Sequence, residues 1–234
     1  MRVLLLASVL LVLIGCTQPI PGDAVDIKDS DTTYEIKKDV LDPLKAPFII
    51  QAPFADWDDP RQQDACEEAS VIMAVKWSQG VTKISKADAL DLILDIAKYE
   101  DENYGANKDT SIQDTYERIV KGYFKFENAS LIEINNVDEI VAALDGSSVV
   151  IMPADGKALN NPNFSGDGPE KHMLLLKGYD VDKEHFITND PGTRNGENFI
   201  YSKKTIEASL KNYRTSEDDS SLEKNAVIVI RPSF

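Results

Sequence analysis

At 234 residues, with 42% hydrophobic and 28% charged side chains, the chain has the composition of a soluble globular protein large enough to bury a sizeable core. Its formal charge of −15 argues against a nucleic-acid partner, which would require a basic face, and would repel strongly acidic substrates. That length predicts one domain or two, and no internal repeat is visible.

The first residues stand apart. "MRVLLLASVLLVLIGC" carries one basic residue, Arg2, and then an apolar run from Val3 to Ile14. The run is too short to span a bilayer as a helix but suits the apolar segment of an export signal. It ends in Leu13-Ile14-Gly15-Cys16, which resembles a bacterial lipobox. The expectation is a signal peptide over 1–15, cleavage before Cys16, and a lipid on that cysteine that anchors the exported protein to the bacterial cell membrane. Residues 16–45 are polar, contain Pro and Asp without sustained period, and read as a tether, with a short strand near Thr33–Ile36.

The folded domain is expected over 46–234. "PFIIQ" reads as a short strand and "FADWDDPRQQD" as a loop. Cys66 to Gln79 reads as a helix with Asp64 as its N-cap, apolar almost all round and therefore central, and closed by Gly80. Ser85 to Glu100 is an amphipathic helix with Ala89, Leu92, Ile93 and Ile96 on one side, and "DENYGANKD" is a loop. Helices follow over 111–122 and 137–144, the last closed by Gly146. The second half turns to strands: "SSVVIM", "HMLLLKGYD", "HFITND", "NFIYS" and "AVIVIRP", with "KKTIEASLKNY" as a helix between the last two. A long Pro/Gly/Asn loop precedes His172. Helices first and strands afterward predict an α+β fold.

The sequence holds two cysteines and two histidines. A lipidated Cys16 leaves Cys66 without a disulfide partner, so Cys66 is either an inert buried thiol or a working one. At the start of a helix, unpaired N–H groups and the dipole favour a thiolate, whereas Glu67 and Glu68 oppose it unless their side chains turn away. His172, at the lip of an apolar strand, is the better-placed base; His185 lies at a hairpin tip between charged neighbours. Asn189 or Asp190 would orient the imidazole. Pairing Tyr179 with Phe186 sets Asp190 opposite Leu175, about 10 Å along the strand from His172, so a bulge or strand-end bend must close the gap. The Cys66 N–H is one oxyanion donor, and Gln51, Gln62 or Gln63 is the other. On the residues alone, packing competes evenly with catalysis. No zinc spacing and no phosphate-cradling glycine loop are present.

Three blocks in order, "IIQAPF…W…QQDACEEASVIMA", "NPNFSGDGPEKHMLLLKGYD" and "FITNDPGTRNG", resemble the bacterial peptidase C-thirty-nine-like group, relatives of the bacteriocin-processing cysteine peptidases. The resemblance runs from Pro47 to the C-terminus. It implies a papain-like fold, Cys66 as nucleophile, His172 as general base, Asp190 as orienting acid and Gln51 as oxyanion glutamine, with no metal or organic cofactor. Gln51 stands fifteen residues before Cys66, farther than is usual in papain-like enzymes, so Gln62 and Gln63 stay open. Many relatives have Gly-Cys-Gly where this chain has Ala65-Cys66-Glu67. The expected function is a cell-surface lipoprotein cysteine peptidase acting on a peptide or protein. Its rivals are an inactive peptide-binding lipoprotein and a cell-wall amidase or transamidase on the same fold.

Overall fold

An all-antiparallel sheet of six strands in the order β1-β6-β2-β3-β4-β5 organises the molecule. The computed structural model describes residues 42–144, 147–216 and 224–233, all within one unit spanning Lys38–Phe234. The strands are β1 Ala129–Glu133, β2 Val149–Ala154, β3 His172–Asp180, β4 His185–Asn189, β5 Phe199–Ser202 and β6 Ala226–Ile230. Cys16, the strand expected near Thr33–Ile36 and the closure at Gly146 lie outside the described residues.

Every residue of β2 and β6 is buried. Their side chains alternate between two separate cores. Ile151, Met173, Leu175 and Ile228 face one cluster with helix α2, Cys66–Ser78. Val150, Leu174, Leu176 and Val229 face the other, with α5, Val137–Leu144, and α7, Lys203–Ser209. A sheet covered on both faces needs apolar residues at every position, which is why these strands read as unbroken apolar runs. The mixed helix and antiparallel sheet agrees with the expected α+β papain-like class, with helices on both faces of the sheet.

Helix α2 is buried at every residue except Lys76, as its lack of a polar face requires. It ends where Gly80 takes φ +79° and donates to the Trp77 carbonyl. Its start differs from expectation: Ala65 is the N-cap and makes no side-chain cap bond. Asp64 instead closes a one-turn helix α1, Pro60–Gln63, which Asp59 caps at its start in the stretch expected to be loop. Pro at the first helical position, preceded by Asp, is a helix-start signal that the surrounding polar residues conceal.

Helix α3, Lys86–Tyr104, is capped by Ser85 and runs past Glu100, because "DENY" holds no breaker and Gly105 is the first residue able to take the left-handed C-cap. Residues expected as one helix over 111–122 are a short α4, Ile112–Asp114, followed by a π-helical stretch, Thr115–Tyr123. "PFIIQ" forms no strand; its backbone is tied instead to side chains and turns, with the Asn189 amide donating to the Ala46 and Pro47 carbonyls and the Gln51 N–H donating to Pro191. Strand β1 was not anticipated. A 3-10 turn, Pro43–Lys45, lies in the stretch read as tether, yet Trp77 Nε1 donates to Asp42 and Lys177 Nζ to the Leu44 carbonyl, so the packed fold reaches back to Asp42.

Candidate active site

The N-terminus of α2 abuts the start of β3. The Ser70 hydroxyl donates to the Met173 carbonyl at 3.2 Å, tying the helix one turn after Cys66 to the strand residue next to His172. Cys66 and His172 thereby reach one cavity of about 460 Å³, whose wall also includes Gln51, Trp57, Phe164 and Gly192. Both residues are largely buried, with Cys66 4% and His172 1% exposed.

The imidazole is held from several sides. Its Nε2 lies 2.8 Å from Asp190 Oδ1, and the Phe164 ring meets it edge-on at 5.4 Å between centroids. The gap foreseen along the hairpin is closed as the register requires. Tyr179 pairs with Phe186, but a bulge between Leu176 and Gly178 shifts the ladder so that Asn189, not Asp190, faces Leu175. Strand β4 then ends, and the Asp190-Pro191-Gly192 turn swings the carboxylate toward the ring. A Cβ at Gly192 would lie 3.0 Å from His172 Cε1 and 3.3 Å from Asp190 Oδ1, so the turn needs a residue without one.

Asp190 is fully buried and accepts four hydrogen bonds: from His172 and the Gly192 N–H on Oδ1, and from Asn161 Nδ2 and the Tyr201 hydroxyl, 2.6 Å away, on Oδ2. Burial alone would push its carboxyl up, but the His172 charge and these donors outweigh it and hold the group below the ordinary carboxylate value. An ionised Asp190 fixes Nε2 as the protonated nitrogen and leaves Nδ1 free to accept a proton. Asn161, Phe164 and Tyr201 carry no individual signal in the sequence: the first two lie in the long loop before His172, and Tyr201 in the run "NFIYS", read only as a strand.

The surroundings of sulfur differ from expectation. Glu67 does not turn away: the Cys66 thiol donates to Glu67 Oε2 at 3.1 Å, and the Tyr213 hydroxyl donates to Glu67 Oε1. Burial first, then the Glu67 and Glu68 charges, push the thiol well above its ordinary value, while the Met173 backbone acts in the opposite direction. Burial likewise pushes Glu67 up to about 7. Glu68 is also buried, and burial followed by the Glu100 charge raises it.

The glutamines separate by geometry. Gln51 lines the cavity, but its amide nitrogen donates to the Gln62 and Gln63 carbonyls, at 3.3 and 2.5 Å. Gln62 is buried and donates to Asp59, whereas Gln63 is exposed and its residue lines the cavity wall. His185 lies at the other end of the β3–β4 hairpin, opposite Asp180. Among the described residues, no group of three or more His, Cys, Asp or Glu side chains is placed to hold a metal ion.

A buried thiol at a helix start thus faces the same hollow as an imidazole–carboxylate pair. The chain belongs to the Peptidase_C39 like family, whose model matches residues 44–220. A crystal structure of a candidate C39-like peptidase from Bacillus anthracis is similar in fold, with a TM-score of 0.51 and 15% identity over 82% of this chain and 97% of that one. A comparison with curated proteins found no match.

Proposed function

We propose that this peptidase-family protein hydrolyses peptide or amide bonds with Cys66 as nucleophile, His172 as base and Asp190 as the group that orients the base. One arrangement supports it above the others: Cys66 and the Asp190-bound imidazole line the same cavity. His172 Nδ1 takes the thiol proton as sulfur attacks the carbonyl carbon. The oxyanion receives the Cys66 N–H, at the first turn of α2 where backbone donors lack an intrahelical partner, and the amide of Gln51 once that amide leaves one of its two carbonyl partners. Collapse expels the amine, which takes its proton from His172, and a water activated by the same ring releases the acid. Attachment to the membrane through lipid on Cys16 is part of the same proposal.

A covalent thiol probe with mass mapping, run beside turnover of a quenched peptide library, tests the chemistry. Native protein is expected to label at Cys66 and to cleave peptides. Cys66→Ala is expected to do neither, and His172→Ala to lose turnover by at least about a hundredfold. Incorporation of an alkyne fatty acid, lost in Cys16→Ser, tests the anchor.

The thiol–Glu67 hydrogen bond favours a second reading, in which the neutral, buried thiol is inert and the cavity only binds peptides. Labelling only after denaturation, together with no turnover, decides for that one.

A further inference from the structure

The cavity that holds Cys66 and His172 does not stand alone. A second hollow, of about 800 Å³, adjoins it, and Trp57, Gln63, Ser165 and Gly192 form part of both walls. A third, of about 290 Å³, adjoins the second, and Ile50, Pro53, Lys86 and Arg194 belong to both. Shared walls at both junctions make one depression that leads away from the thiol.

Its lining changes along the way. It passes Trp57, on the wall shared with the thiol cavity, and then Phe54 in the second hollow; these large aromatic side chains are 39% and 59% exposed. Exposed aromatic surface beside a concave path is a feature of surfaces that bind a partner. Asn163, Ser165 and Thr193 supply polar groups along the second hollow, suited to a polypeptide backbone. The third hollow is an apolar pit formed by Phe48, Ile49, Ile84 and Ala89.

Two cations stand where the second hollow meets the pit. Neither Lys86 nor Arg194 is paired with a carboxylate among the described residues, and Lys86 Nζ is 6.0 Å from the centre of the Phe54 ring. In a chain of formal charge −15, two cations without a carboxylate partner among the described residues meet at one pit, whose wall residue Ser85 donates to the Asp88 carboxylate. Asp58, the carboxylate on the second hollow, is absent from the pit.

We propose that this depression is the substrate groove, and that it selects peptides carrying a carboxylate held between Lys86 and Arg194 next to a large apolar side chain seated in the Ile49–Ile84 pit. The proposal rests on the peptidase function above and names the substrate class for that site. A cation pair beside an apolar pit recognises both halves of such a motif: the guanidinium and ammonium groups replace the water around the carboxylate, and the pit removes the apolar side chain from solvent. Held away from the reacting carbonyl, the motif would position the chain along the groove. The general repulsion of acidic ligands expected from net charge therefore yields to a local attraction for a single carboxylate.

Fluorescein-labelled short peptides test this on the full chain carrying Cys66→Ala, so that binding is read without turnover. Each peptide pair carries Glu-Leu, Gln-Leu or Glu-Ser at a scanned position, with a free or an amidated C-terminus. Glu-Leu peptides are expected to bind at least about tenfold more tightly than both controls, with the preference weakening as salt is raised and disappearing in Lys86→Ala/Arg194→Ala. A preference that follows the free C-terminus and not the Glu side chain supports the same site and assigns the carboxylate to the chain end. Equal binding of Glu-Leu and Gln-Leu peptides, or a preference unchanged in the double variant, overturns the proposal. Turnover of the same peptides by the native protein is the separate readout of the peptidase function. Carboxylate-dependent binding without turnover supports the groove and removes the peptidase; turnover indifferent to Lys86 and Arg194 keeps the peptidase and removes the groove.

Discussion

The Glu67 carboxyl lies directly on the Cys66 thiol, accepting a hydrogen bond from sulfur 3.1 Å away while the Tyr213 hydroxyl donates to the other carboxyl oxygen. A carboxylate at that place opposes ionisation of sulfur, because it adds a negative charge beside the one that would form. Burial is the largest cause of the raised thiol value, and the Glu67 charge is the next. Glu67→Gln removes that charge and keeps the shape. The pH at which iodoacetamide alkylation of Cys66 reaches half its maximum rate is expected to fall by about one unit. An unchanged pH profile would show that Glu67 does not restrain the thiol.

Asp190 gathers four donors in a fully buried place, and its ionised form fixes the His172 tautomer. Asp190→Asn keeps the size but offers an amide group to the ring, so the nitrogen that should accept the thiol proton is no longer defined. Turnover is expected to fall by about 10²–10⁴. Because the folded carboxyl is depressed below its ordinary value of 3.8, its contribution to stability is present above that pH and is lost as pH falls through the folded value. Wild-type and variant melting temperatures, measured on both sides of that value, check this: the variant should lack the acid-side fall that Asp190 causes.

Much of this site could be read along the chain because its anchors coincide with strong local signals. His172 begins a strand in which the four residues after it, Met173 to Leu176, are an unbroken apolar run, and Val137–Leu144 has a clear helical period. The need for a bulge followed from counting residues along the hairpin, and the Leu176/Gly178 shift supplies it. What could not be read depends on distant partners. Tyr213 and Asn161 reach the site through tertiary packing, 146 and 29 residues from the groups they contact. "PFIIQ" has the composition of a strand, but its backbone is claimed by Asn189 and Pro191. Strand β1 exists because β6, almost a hundred residues later, offers an edge. The first-turn glutamates read as charges that must turn away from sulfur; their burial, with Glu67 between the thiol and Tyr213, depends on tertiary packing that the local sequence does not show.

Gly192 is the point at which the Asp190 turn comes closest to the imidazole. A methyl group there would stand 3.0 Å from both His172 Cε1 and Phe164 Cε1, which is tighter than ordinary packing. Gly192→Ala is expected to displace the ring and lower kcat/KM by at least about tenfold, with a much smaller change in KM alone. The variant should stay folded, since Gly192 is only half-buried at the cavity wall. Thermal unfolding beside steady-state kinetics separates the two effects; a collapse in melting temperature equal to that of a core substitution would show that the glycine serves the fold and not the ring.

Behind the thiol, Glu68 and Glu100 are buried carboxyls whose four oxygens have no hydrogen-bond partner among the described residues. Burial raises both, and the charges of acidic neighbours raise them further, Glu100 and Glu67 acting on Glu68 and Glu67 on Glu100, which reaches about 8 from an ordinary 4.5 although the Arg118 charge partly offsets this. A carboxyl raised in the folded state binds its proton more tightly there than in the unfolded chain. Its contribution to stability is fully present below about 4.5, the unfolded value, and is lost as pH rises through the folded value. The protein should therefore be more stable near pH 5 than near pH 9, by about 1–3 kcal/mol once water penetration and relaxation are allowed for. Urea unfolding at those two pH values measures the difference. Glu68→Gln/Glu100→Gln removes both titrations and is expected to flatten most of it, leaving the smaller part due to Glu67; a double variant that keeps the full alkaline loss would place its origin elsewhere in the molecule.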